Sequence, residues 1–145
     1  MATITLMGAS YSNVPAVTLP KTGGGTVTFY ESGGGMNIQA YTGTDYVRAS
    51  SYTATDVTLT VKTSGIYTIS WIGWRSTSSG TSGTELYING SMYGSAHTTF
   101  TGTYGQYVEV TGVELDAGDV LTIRARARSS SYYMYVGNLV IEQTA

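Results

Sequence analysis

Three groups of side chains have types and spacings suited to recognition. Arg124, Arg126 and Arg128 occupy alternate positions of one stretch, so on an extended strand their guanidiniums share a face. Such a ladder suits acidic groups on a partner protein or a cell-wall polymer; its ordinary alternative is a solvated face offset by Glu85, Glu109 or Glu114. Trp74 and Ile72 share a phase opposite to that of Tyr67, Ile69 and Trp71. A large apolar pair turned away from a core suits a subunit interface, or a surface covered by a loop or by the N-terminal segment. The third group is tyrosine, with 13 copies in the chain. A tyrosine offers a flat apolar ring with a polar tip, which suits weak stacking on sugars, although tyrosine is also a good strand residue. Tyr132 and Tyr133, which follow Ser129-Ser130-Ser131, are the first candidates for ligand contact, with Tyr93 and Tyr104 beside them.

Catalysis finds little support. There is no cysteine and a single histidine, His97, so neither a thiolate nor a histidine-rich metal site can be assembled. No nucleophile–base set is recognisable, and the few carboxylates are scattered. Asp116 and Asp119 flank Ala117-Gly118 and read as a turn rather than a metal corner. The Gly23–Gly25 and Gly33–Gly35 runs lack the lysine and helix that must follow a phosphate loop. No catalytic residue, metal or cofactor is expected.

Composition narrows the partners. Charged residues make up 11% of the chain and the formal net charge is −2, so there is no basic surplus to neutralise nucleic-acid phosphates. Low charge also weakens repulsion between copies, which suits an assembly. No stretch is long and apolar enough to span a membrane. Residues 1–7 lack the basic and apolar regions of a signal peptide, so synthesis in a cytoplasm is expected.

The elements that would position these residues are strands. Residues 56–62 alternate, with Val57, Leu59 and Val61 on one face. Ser64-Gly65 turns into a long strand over 66–75. Leu86-Tyr87-Ile88 meets Asn89-Gly90, a strong hairpin signal. Residues 107–115 form a strand with a bulge near Gly112, and 120–128 a cleanly alternating one. The last strand spans 133–142 and bends at Gly137-Asn138. The 145 residues divide into an arm over 1–50 and a head over 51–145. The arm holds both prolines and both triple-glycine runs, with short apolar pieces at 4–7, 14–19, 27–30 and 36–41. The expected fold class is all-β, a jelly-roll-like β-sandwich with an extended N-terminal arm.

Two resemblances extend this reading. Val57-Thr58-Leu59-Thr60-Val61 with Gly65-Ile66-Tyr67-Thr68-Ile69-Ser70-Trp71, then Leu86–Gly90 and Val113–Val120, resemble the landmarks of tumour-necrosis-factor and complement-q heads. That resemblance implies a jelly roll and a compact homotrimer. It also leaves the head short, so that a strand over 26–31 or 37–41 would complete the sandwich and join arm and head. The segment Gly8–Val17 with Leu19–Thr26 is similar to the N-terminal segment of small virion proteins of phages and prophages of Gram-positive gut bacteria. It implies virion attachment through Val14, Pro15, Val17, Leu19 and Pro20, other virion proteins as partners, and residence in a virion made in the host cytoplasm. The expected function is thus a phage capsid decoration or tail-fibre-type accessory, homotrimeric, with host-surface polysaccharide as a possible ligand. A carbohydrate-binding module without catalytic activity is the alternative.

Overall fold

The computed structural model describes residues 2–6, 9–14, 25–31, 36–77, 80–100 and 105–145, the first two stretches as backbone. Tyr104, Pro15, Val17, Leu19 and Pro20 lie outside the described residues. Two strands, β1 (Ala2–Leu6) and β2 (Ala9–Val14), pair as a hairpin. Val14 is thus the last residue of a strand, whereas the sequence suggested an apolar piece that begins there.

The other nine strands form two sheets. They are β3 (Val27–Glu31), β4 (Asn37–Val47), β5 (Thr53–Thr60), β6 (Gly65–Arg75), β7 (Gly83–Ile88), β8 (Ser91–His97), β9 (Gln106–Leu115), β10 (Val120–Arg126) and β11 (Met134–Gln143). One sheet has the order β3-β4-β11-β6-β9 and the other β5-β10-β7-β8, and every pairing is antiparallel. The chain passes between sheets at most connections, which makes the architecture a jelly-roll β-sandwich. No helix occurs among the described residues, so none there could cross a membrane.

The period of two explains the core. Val57 and Leu59 from β5, Leu121, Ile123 and Ala125 from β10, and Leu86 from β7 face Tyr67, Ile69 and Trp71 from β6 and Met134, Val136, Leu139 and Ile141 from β11. All are buried, and each large apolar side chain contributes about 1.5–3 kcal/mol by leaving water. The Trp71 indole N–H is not wasted inside this core: it donates to Thr84 Oγ1 at 3.0 Å.

Local irregularities fall at the residues that permit them. Asn89 and Gly90 both adopt positive φ, 51° and 81°, as the tight turn between β7 and β8 requires. Gly112 (φ 69°) sits where the β6–β9 register shifts, and Asn138 (φ 52°) where β11 shifts against its neighbours. Asp116 and Asp119 form the expected turn: the Asp119 carboxylate accepts from the Asp116 N–H at 2.8 Å and from Asn89 Nδ2 at 2.9 Å.

The boundary expected near residue 50 needs correction. β4 pairs with β11 from Met134↔Val47 to Glu142↔Ile38, and β3 pairs with β4. Tyr41 and Val47 belong to the main core. Arm and head therefore share one sheet from residue 27 onward, because β11 is buried on both faces and cannot remain an edge. A fragment of residues 51–145 is expected to lack a cooperative thermal transition, whereas residues 25–145 keep one. Circular dichroism melts of the two fragments check this.

His97 packs edge-on against the Trp71 indole, with ring centroids 5.3 Å apart. Burial pushes its imidazole below the ordinary 6.5. The folded state therefore favours the neutral ring, and on acidification the unfolded chain takes up the proton first. This contribution to stability is complete above 6.5 and is lost as the pH falls through the lower folded value. The melting temperature is expected to drop between about pH 7 and about pH 5, and less steeply in a His97→Gln variant.

Candidate functional site

The outer face of the five-stranded sheet carries a cluster of aromatic rings. Tyr46 on β4, Tyr135 on β11 and Trp74 on β6 lie in one rung, since Tyr135 is the register partner of both. Neighbouring strands run about 4.8 Å apart. Rings from such partners therefore meet: Trp74 and Tyr135 stack with centroids 5.0 Å apart and planes 2° from parallel. Tyr133, just before β11, stacks on Tyr135 at 5.7 Å and meets Tyr46 edge-on at 5.0 Å. The Arg48 guanidinium caps the Tyr133 ring at 4.8 Å. Each aromatic pair is worth about 0.5–1.5 kcal/mol beyond its burial, so the platform is stiff before anything binds to it.

The next rung holds Ile72 and Tyr107, which are register partners. Tyr107 is 54% exposed, and its hydroxyl donates to Glu109 Oε2 at 3.2 Å. Burial raises the Tyr135 phenol above its usual range, helped by Tyr133 and Tyr46, and burial raises that of Tyr107. These hydroxyls stay protonated at neutral pH and can both donate and accept. Further along the same face, Ile38, Ala40 and Val140 form a small buried cluster with Tyr30 packed on it.

The sequence candidates separate onto several surfaces. Trp74 and Ile72 stand on the outer face, as their phase required, and Trp71 is in the core. Tyr132 and Tyr133 were paired as loop residues, but they diverge. Tyr133 joins the ring cluster, while Tyr132 packs against the main core under the Arg128 guanidinium, 5.3 Å from its ring. Tyr93 lies on β8, at the edge of the other sheet, and does not join either group. Arg124 and Arg126 are on the outer face of the four-stranded sheet, and Arg128 follows the end of β10. They are not part of the Trp74–Ile72 surface, so the five residues grouped for an interface divide between the two opposite faces of the sandwich.

Tyr46 and Arg48 were missed. Both lie in the stretch assigned to the arm, although Tyr46 shares its phase with Thr42 and Thr44, opposite Tyr41 and Val47. That alternation was the available signal. Among the described residues no group of three or more histidine, aspartate or glutamate side chains could hold a metal ion.

No protein-family model matches the sequence, and no curated protein matches it. Solved structures do. The CBM36-1 domain of a multidomain xylanase from the hindgut metagenome of Trinervitermes trinervoides is 14% identical, with a TM-score of 0.50 over 83% of this chain and 88% of that one. A carbohydrate-binding module CBM36 in complex with calcium and xylotriose is 16% identical, with a TM-score of 0.45 over 85% and 92%. Rabbit GITRL is 18% identical, with a TM-score of 0.38 over 60% and 75%. At these identities the first likeness is one of fold: a β-sandwich of the same overall build.

The two tryptophans are expected to report on opposite environments. In a Trp74→Phe variant the remaining Trp71 emission should be blue-shifted and resist acrylamide. In a Trp71→Phe variant the remaining Trp74 emission should be quenched readily. Stern–Volmer plots of the two variants check the placement.

Proposed function

We propose that this chain is a carbohydrate-binding module without catalytic activity, which holds a glycan against the aromatic face of its five-stranded sheet. The observation that carries this reading is the continuous ring cluster of Trp74, Tyr135, Tyr133 and Tyr46 at one end of that face. Apolar ring surface suits the C–H faces of sugars, and phenol hydroxyls with the Arg48 guanidinium suit their hydroxyls. The shared fold of the xylanase CBM36-1 domain supports the same reading. Binding would be weak at one face and would gain strength from several copies presented together.

A second reading rests on the same surface. Trp74, Ile72 and the exposed Tyr107 occupy neighbouring rungs of a sheet face, and apolar surface gathered in this way suits contact between copies of the chain. In that reading the chain is a virion accessory protein. The N-terminal arm, within residues 1–50, would attach it to other virion proteins, with Val14, Pro15, Val17, Leu19 and Pro20 as the apolar contacts.

The two readings compete for one face, so a single substitution separates them. Trp74→Ala is expected to weaken retention on a panel of immobilised plant and bacterial polysaccharides by roughly tenfold, while the solution mass stays that of a monomer. A trimeric wild-type mass by light scattering that falls to a monomer in Trp74→Ala, with no glycan retained by either protein, would replace the first reading with the second.

A further inference from the structure

One charged group belongs to the ring cluster. Arg48 follows the end of β4 in the same phase as Tyr46, so its side chain reaches the same outer face. Its guanidinium lies over the Tyr133 ring, 4.8 Å from the centroid, and the residue is exposed. Both members of this pair stand on anchored backbone. The Ala127 N–H donates to the Ala49 carbonyl at 2.8 Å. The Ser76 N–H donates to the Tyr133 carbonyl at 3.0 Å, and the Tyr133 N–H to Ser76 Oγ at 2.8 Å.

Among the described residues no carboxylate forms an ion pair with this cation. The acid nearest in sequence, Asp45, is turned inward and 8% exposed. Its carboxylate oxygens accept from the Tyr46 and Asp56 N–H groups, each at 2.7 Å. A guanidinium held by its flat face keeps its N–H rim available for planar, bidentate acceptors. It also loses less freedom on binding than a free side chain would.

The acids of the same face lie toward its other end. Glu109 is the register partner of Ser70, Glu114 of Ile66 and Glu142 of Thr68. Ser70 and Ile66 precede Trp74 on β6 by distances of about 13 and about 26 Å along an extended strand. The face is therefore polar along its length, with a cation beside the rings and carboxylates far from them. A polymer charged on every sugar would meet those carboxylates when it ran along the strands. A mostly neutral polymer would not.

We propose that the aromatic face selects a glycan of neutral sugars with sparse anionic substituents, carboxylate or phosphate. One such group pairs with Arg48 while neutral sugars lie against Trp74, Tyr135 and Tyr46. This inference rests on the carbohydrate-binding reading given above and adds the class of ligand. The rings accept the C–H faces of many sugars, so the cation supplies the discrimination.

Affinity electrophoresis of the full chain through gels of matched polymers tests the proposal. Glucuronoxylan, with occasional uronic acids on a neutral backbone, is compared with the same polymer after its carboxyl groups are reduced to alcohols. A phosphate-bearing bacterial wall polysaccharide is compared with its dephosphorylated form. At least one charged polymer should bind more tightly than its neutral counterpart, by about threefold to fivefold, the range open to an exposed ion pair. The pair that shows the difference identifies the anion. The ratio should shrink as salt rises from about 0.05 M to about 0.3 M. It should approach one in an Arg48→Gln variant and stay between the two in Arg48→Lys, where the charge remains and the planar fork is lost. Matching melting temperatures show that both variants are folded. Polygalacturonate, charged on every sugar, should bind more weakly than the preferred polymer. Equal binding within both pairs, a ratio unchanged in the folded Arg48→Gln variant, or tightest binding to polygalacturonate would each overturn this inference and leave the carbohydrate-binding reading standing. Retention of no polymer by the wild type, in these gels or on the panel above, would overturn both.

Discussion

The structure depends on the burial of β11 between β4 and β6. This last strand inserts Met134, Val136, Leu139 and Ile141 into the main core. Its opposite side carries Tyr135 into the aromatic cluster and Val140 into the small apolar cluster with Ile38 and Ala40. A strand used on both faces needs a partner on each edge, since an open edge would strand its N–H and C=O groups. β6 supplies one partner. The other is β4, from the first third of the chain. Sheet formation therefore joins segments far apart in the sequence: β4 from the first third of the chain pairs with the last strand.

That constraint also creates the aromatic platform. Tyr46, Tyr135 and Trp74 are far apart in sequence and become neighbours because β4, β11 and β6 are adjacent and in register. The spacing of strands does the rest: it is close to the stacking distance of rings, so three aromatic residues in one rung become a single surface. Arg48 and Tyr133, placed just beyond the strand ends, extend it. On the other sheet the same logic sets Arg124 beside Tyr87 and Glu85, its neighbours across the β10–β7 ladder. The sandwich thus presents two faces of different chemistry, one rich in rings and one of stacked cations, separated by a core that shares little polar content with either.

Much of the fold was legible in the residues. The alternation over 56–62 and 120–128, the Asn89-Gly90 turn, the irregularity at Gly112 and the bend at Gly137-Asn138 are local signals, and local signals survive translation into structure because period two and positive φ are properties of single residues and their immediate neighbours. The opposite phases of Trp71 and Trp74 were legible for the same reason. The end of β10 was read two residues too far, since Arg126 is its last residue and alternation continues past the point where pairing stops.

What the sequence by itself determined, then, is the all-β class, the turns, and which side of each strand faces inward. Only the tertiary structure decided that β3 and β4 both belong to the sandwich, where one strand of the arm was expected to complete it, that Tyr132 and Tyr133 part company at the start of β11, and that the arginine ladder and Trp74 lie on opposite faces. Strand adjacency is the physical reason. Which strands pair depends on burying both sides of β11 and closing two sheets over one core, a condition on the whole chain that no local pattern encodes.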